Sequence, residues 1–366
     1  MARRLIDRIP NKRAALARVL GGTGLLATLE RIAAARHDRP ALAVFTYHRI
    51  AVPGVEADPY YDPVISATPE GFRGQVEALA RRFRPVGLDE VHEDGTGPPP
   101  AGDHRPPALI TFDDGYRDNV DAAWPILKAA GVPAAFFLPT GIIDAPRLPW
   151  WDQVAFAIKR TRCPALRLER HPDDPAPIAI ELGPEPPPPR RTAAIMRVIG
   201  AFLAHEVPDE AWFLARLAQA AEVAIDAEAL GRGHFMTWGD ARRLAESGMS
   251  IGSHGLSHRA LGTLPAEAQR EELVASRRTI SERIGRHPAA VAYPYGWPGS
   301  FTATTTSLAA EAGYRLGFTS REGVNRPGSP GFAPLELRRL NVGTGDTPPL
   351  LRARVAMHAA LGRSVV

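Results

Sequence analysis

Short apolar runs rich in strand-forming residues alternate with segments of helical period along most of this chain, and that alternation restricts the fold more than any other feature. Ala41 to Tyr47 reads as a buried strand ending at His48, Pro107 to Phe112 as a second running into Asp113-Asp114-Gly115, and Ala134 to Leu138 as a third. Between them, Phe72, Val76, Leu79 and Phe83 recur at helical spacing, and Val120 to Ala130 is helical up to Gly131, a residue on which helices commonly end. Thr237 with Asp240 resembles a helix-start box ahead of Ala241 to Ser247. Met249 to Ser253 is a short strand, Pro265 to Ile284 a long amphipathic helix, and Ala289 to Tyr293 a further strand. A helix over 303–312 and strands over 315–319 and 336–342 complete the series. Strand, helix and strand in repeated order mean an α/β fold with a mostly parallel sheet, and this many units favour a barrel over an open sheet.

Between about 150 and 237 the rhythm breaks. Pro184 and Pro186 to Pro189 separate a helix near Trp151 to Lys159 from two apolar helices, roughly 191–205 and 210–223. This is a mainly helical insertion on one barrel loop. Trp150 and Trp151 open it, either as core anchors or as faces for stacking on sugars. The expected organisation is a basic helical leader over 1–40, a barrel over 41–345 interrupted by the insertion, and a C-terminal helix over 346–366.

Composition excludes several classes. The single cysteine, Cys163, rules out an intrachain disulfide and a multi-cysteine metal site. The net charge of +4 rests almost wholly on arginine, with Lys only at 12, 128 and 159, and no basic stripe interleaves with aromatics, so a nucleic-acid partner is not expected. Arg3, Arg4, Arg8, Lys12, Arg13 and Arg18 precede an apolar stretch, Val19 to Leu29, that is too short to span a bilayer and lacks a convincing cleavage site. A leader packed on the domain, a secretion signal and a peripheral helix on anionic lipid all stay open. Placement in the cytoplasm or at the cytoplasmic membrane face is favoured over export, and the oligomeric state is not readable.

Three clusters carry chemistry, each at the end of an expected strand, where parallel α/β folds build active sites. In Thr111-Phe112-Asp113-Asp114-Gly115, two adjacent carboxylates repel unless a cation lies between them, and Gly115 permits a turn that lets both face one pocket. In Ser253-His254-Gly255-Leu256-Ser257-His258, the imidazoles share one face if the segment is helical, close enough to hold one metal. In Ala292-Tyr293-Pro294-Tyr295-Gly296, Pro294 and Gly296 fix a tight loop whose N–H groups face a developing oxyanion. Read singly, each has a bland alternative: solvated aspartates in a turn, unrelated surface histidines, an ordinary turn.

Together and in this order, the three resemble the motifs of the polysaccharide deacetylase family (carbohydrate esterase family four, NodB-homology domain). The resemblance covers roughly residues 41–345 without most of the insertion. It implies a distorted (β/α) barrel of about seven strands and a divalent metal, zinc in the first place, held by Asp114, His254 and His258. Asp113 is then the general base and the Tyr295 N–H an oxyanion donor. Phe45-Thr46-Tyr47-His48 resembles the N-terminal Tyr-His of a subgroup that includes the poly-N-acetylglucosamine deacetylases, with Asp62, Ile65, Ser66, Phe72 and Leu79 continuing the pattern. In that subgroup this histidine is the general acid, which points to His48; Tyr47 is read as packing.

The chain also departs from the family pattern. Where many members carry an Arg that pairs with the catalytic Asp, this chain has Ala292, and Arg339, on a late strand, is the candidate to supply that charge. Gly255 replaces a hydroxyl residue, and His358 is unsuited to serve as the acid. The expected activity is metal-dependent hydrolysis of acetyl groups from an N-acetylated oligo- or polysaccharide, or from a lipid-linked precursor. Two alternatives remain: an inactive glycan-binding protein, which would purify without a stoichiometric metal, and an amidase of small amides on the same barrel.

Overall fold

The computed structural model describes residues 40–361 except 55–57, 98, 174–175, 185–187, 205–206, 208 and 330. The leader expected over 1–40 lies, but for Pro40, outside the described residues. The chain packs into two compact units: Val52–Ile65 with Pro146–His234 form one, and the remaining described residues the other. Among the described residues no helix is long and apolar enough to cross a membrane.

The larger unit is the seven-stranded barrel. Strands β1 (Ala43–Tyr47), β2 (Pro107–Phe112), β3 (Ala134–Leu138), β4 (Ser250–Ser253), β5 (Ala290–Ala292), β6 (Leu316–Glu322) and β7 (Leu337–Asn341) run parallel in chain order. The ring closes because β1 pairs with both β2 and β7. Every residue of β1, β2 and β3 is buried. Both faces of such strands need apolar side chains, which is why they read as continuous hydrophobic runs. Alternate positions (Val44, Leu109, Ala135, Phe137, Ala292, Phe318, Leu337) form one cluster drawn from six of the seven strands. On the other face of β1, Phe45 and Tyr47 meet Phe83 and Phe72 at ring distances of 6.0 and 5.0 Å. Burying each such ring contributes about 2 kcal/mol.

Local signals set the helix ends. The Thr68 hydroxyl accepts the Gly71 N–H and Pro69 opens the helix Pro69–Arg82. The Asp240 carboxylate accepts the Thr237 N–H at 2.8 Å, while the Thr237 hydroxyl accepts the Asp240 N–H at 3.2 Å. That reciprocal pair starts the helix Trp238–Glu246. Gly131 ends the helix Trp124–Ala130 with φ 63°, but Asn119–Ala123 ahead of it is a π-helical turn where the period predicts α.

The smaller unit has its own core, in which Trp151, Val154, Ile158, Leu168, Ile180 and Phe213 take part. Trp150 stacks on Phe202 at 4.3 Å, so both tryptophans act as core anchors. The unit is less purely helical than its sequence suggests, because Ala165–Leu168 and Ile178–Glu181 form an antiparallel hairpin. Asp152, fully buried, accepts the Tyr61 N–H at 2.9 Å and lies 2.9 Å from His234 Nε2. Lys159 donates to the carbonyls of Asp58 and Tyr60 and to the Asp62 carboxylate, binding the 52–65 segment to the helix Trp150–Arg160.

Candidate active site

The candidate residues extend the strand ends by one step, with the backbone still pinned by a neighbouring strand. The Asp113 N–H donates to Tyr47 O, the His254 N–H to Leu138 O and the Tyr293 N–H to Phe318 O, at 2.9–3.0 Å. Backbone strain then aims the side chains. Four described non-glycine residues have positive φ, and three of them are Asp114 (73°), His258 (58°) and Tyr295 (63°). A left-handed non-glycine residue costs on the order of 1–2 kcal/mol and persists only where its surroundings over-determine it. The turn expected at Gly115 (φ 70°) therefore begins one residue earlier, at Asp114 itself. At Gly115 a Cβ would meet the side-chain ends of Ile143 and Leu138 at 3.0 and 3.1 Å, so a larger residue would have to displace them as well as adopt the left-handed backbone.

Asp113 is gripped by Arg339, whose Nη1 and Nη2 donate to its two oxygens at 2.9 and 2.7 Å while Nε donates to Thr319 O at 2.8 Å. Both side chains are buried. Burial pushes the Asp113 pKa up, but the charges of Arg339 and His254 outweigh it, and the carboxyl ends below its ordinary range.

Asp114 Oδ1 lies 3.3 Å from His254 Nε2 and 3.1 Å from His258 Nε2. One donor atom from each of the three lies within 4.8 Å of the others. Asp114 Oδ1 accepts no aligned hydrogen bond although it is buried, so the three groups converge on a common point instead of on one another. The His254 Nδ1–H donates to Ala292 O at 2.7 Å, which leaves the Nε2 lone pair facing that point. Two imidazoles and a carboxylate set this way fit a divalent cation. For His254, burial alone lowers the pKa, but Asp113 and Asp114 reverse it.

The segment across the histidine motif is not helical. Residues 254–260 are irregular, and the two rings meet at 4.9 Å through a turn opened by Gly255 (φ 75°) and closed by His258. In the third cluster, Tyr295 places its ring 5.0 Å from that of His258 and 4.7 Å from that of Trp297.

His48 lies in the electrostatic reach of Asp113, Asp114 and His254; burial lowers its pKa more than the two carboxylates raise it. Its N–H donates to Ser66 Oγ at 2.9 Å, and its carbonyl accepts from Asn119 Nδ2 at 2.6 Å. The ring has no hydrogen-bond partner among the described residues, unlike a histidine bonded into a turn. Tyr47 packs against Phe72 and Phe112. His358 is engaged with Glu322, which it and Arg354 hold at about 2 against the effect of burial. Sequence reasoning missed Asn119, Asp118, whose Oδ1 accepts the Ile50 N–H at 2.9 Å, and Glu272 on the helix Ala266–Ile284. Asp118 and Asn119 follow the Asp-Asp-Gly motif closely enough to have been suspected; Glu272 carries no motif.

A closed parallel barrel that gathers carboxylates and imidazoles at the C-terminal ends of its strands defines the class of α/β-barrel proteins with a candidate divalent-metal site. This chain belongs to the polysaccharide deacetylase family: the family model matches residues 101–160 and 182–317, more than half of its length. Asp113, Asp114, His254, His258 and Tyr295 fall inside that match, and His48 and Arg339 outside it. A putative polysaccharide deacetylase of Bacillus subtilis, YxkH, is 26% identical over 97 residues, which is 26% of this chain and only 34% of the relative. The fold is similar to that of the Streptococcus pyogenes deacetylase PplD in complex with acetate (TM-score 0.55, 19% identity, 85% of this chain and 97% of that one). It is also similar to IcaB from Ammonifex degensii (TM-score 0.51, 20% identity, 88% and 97%).

Proposed function

We propose that this protein is a metal-dependent deacetylase that removes acetyl groups from an N-acetylated amino-sugar glycan or glycan precursor. The observation that carries the reading is the Arg339-held carboxylate of Asp113 next to the converging donors of Asp114, His254 and His258. Zinc suits that donor set. A divalent cation bound there supplies Lewis-acid polarisation of the acyl oxygen and acidifies a water molecule.

The chain's own groups do the rest. Asp113, ionised at neutral pH, takes a proton from the attacking water, and Arg339 holds it in one rotamer for that task. The Tyr295 N–H donates to the oxygen that gains charge as the carbonyl becomes tetrahedral. As the carbon–nitrogen bond breaks, His48 gives the leaving nitrogen its proton, so that one water and one amide yield acetate and a free amine. The place of His48 before β2 supports membership of the Tyr-His subgroup.

Acetate release from N-acetylglucosamine oligomers, with chelator and with added zinc, tests the reading. Release that stops with chelator and returns with zinc is expected. No release from the metal-loaded protein, on any chain length, rejects it.

A further inference from the structure

We infer that Glu272 is a positioning residue that sets the affinity and geometry of the cation site, an inference that rests on the metal reading above. The turn between the two histidines sends consecutive N–H groups, of Leu256 and Ser257, to the same Glu272 oxygen at 2.8 and 3.0 Å, and the Ser257 hydroxyl donates to the other oxygen. Successive amides converging on one anion form a nest, here filled by a resident carboxylate. Glu272 is 7% exposed and has no ion-pair partner among the described residues, so the turn itself compensates the cost of burying its charge.

From the opposite side the same turn is held by the N–H groups of Thr140 and Gly141, which donate to Gly255 O and Leu256 O at 3.1 and 2.7 Å. A Cβ on Gly141 would meet Leu256 O at 2.8 Å, and one on Gly255 would meet the Glu272 carboxylate at 3.2 Å. His258 follows directly, at φ 58°. A left-handed histidine has no intrinsic preference for that geometry, so the clamp must impose it. With the Glu272 side of the clamp gone, the His258 ring loses its fixed position beside Asp114 and His254.

The test is titration of metal-free protein with cobalt(II), read by visible absorption for affinity and ligand geometry, with thermal unfolding of the metal-free form as control. Glu272→Ala should bind cobalt about 10- to 100-fold more weakly, with an altered spectrum. Glu272→Gln should stay near wild type, because its amide oxygen accepts both N–H groups and its NH2 group donates to the Ser257 hydroxyl. Wild-type affinity and spectrum in Glu272→Ala, whatever its unfolding temperature, overturn the inference. Equal losses in both variants also overturn it, since they assign the effect to charge. If Glu272→Ala does not fold, Glu272→Asp, too short to reach both amides, should weaken binding, and unchanged binding counts against the inference. A wild-type protein that binds no cobalt removes the cation site itself, and this inference with it.

Discussion

Buried polar groups occur in both units, but under opposite conditions. In the smaller unit, Asp152 and Lys159 sit on a regular helix with their hydrogen-bonding capacity taken up by nearby groups. Among its described residues the one left-handed non-glycine residue, Glu222, merely ends a helix. At the strand ends of the barrel, Asp114, His258 and Tyr295 all hold left-handed backbone, and Asp114 Oδ1 is buried without an aligned hydrogen bond. Satisfied polar groups on relaxed backbone stabilise a fold. Strained residues whose donor atoms converge keep their capacity for something the fold does not supply.

The comparison breaks most readily at the proposed ligands. Asp114→Ala or His258→Ala should abolish bound metal and acetate release together, as elemental analysis and a coupled acetate assay would detect; a variant keeping both refutes the assignment. Next in size, Asp113→Asn should retain metal yet lose on the order of 10²-fold or more in turnover, and His48→Ala should lose turnover similarly with an unchanged unfolding profile. Near-normal rates in either would return that residue to a structural role.

Smaller and more discriminating is Arg339→Met. The guanidinium helps hold the Asp113 pKa below its ordinary range, so its removal raises that pKa. Protonated Asp113 then persists to higher pH, and the acid limb of the pH–rate profile should move upward; an unmoved limb contradicts the pairing. At the lower end, Lys159→Met should cost about 1–3 kcal/mol in urea unfolding, from the acceptors it leaves, without changing cobalt affinity. A change in affinity would erase the distinction between the two units.

The barrel was legible because strands buried on both faces need unbroken apolar runs, as β1, β2 and β3 have. The motif residues were legible because they sit where such strands end. What escaped depended on three-dimensional closure. The hairpin Ala165–Leu168 with Ile178–Glu181 alternates over only four residues per strand, too few to stand out beside longer helical patterns. The histidine spacing suggests a helix, yet Gly255 and a left-handed His258 reach the same proximity by a turn. Glu272 looks like any helix carboxylate until its partners 15 and 16 positions earlier are seen.

The grip of Arg339 on Asp113 joins positions 226 residues apart, from the last stave of the ring to the second. During synthesis, domains form from the N-terminal side onward. The pair of aspartates and both imidazoles therefore leave the ribosome well before the arginine that orders one of them. A nascent chain paused short of β7 carries the proposed ligands but leaves the proposed base unclamped in an open ring, so the site is completed only once β7 has joined the barrel.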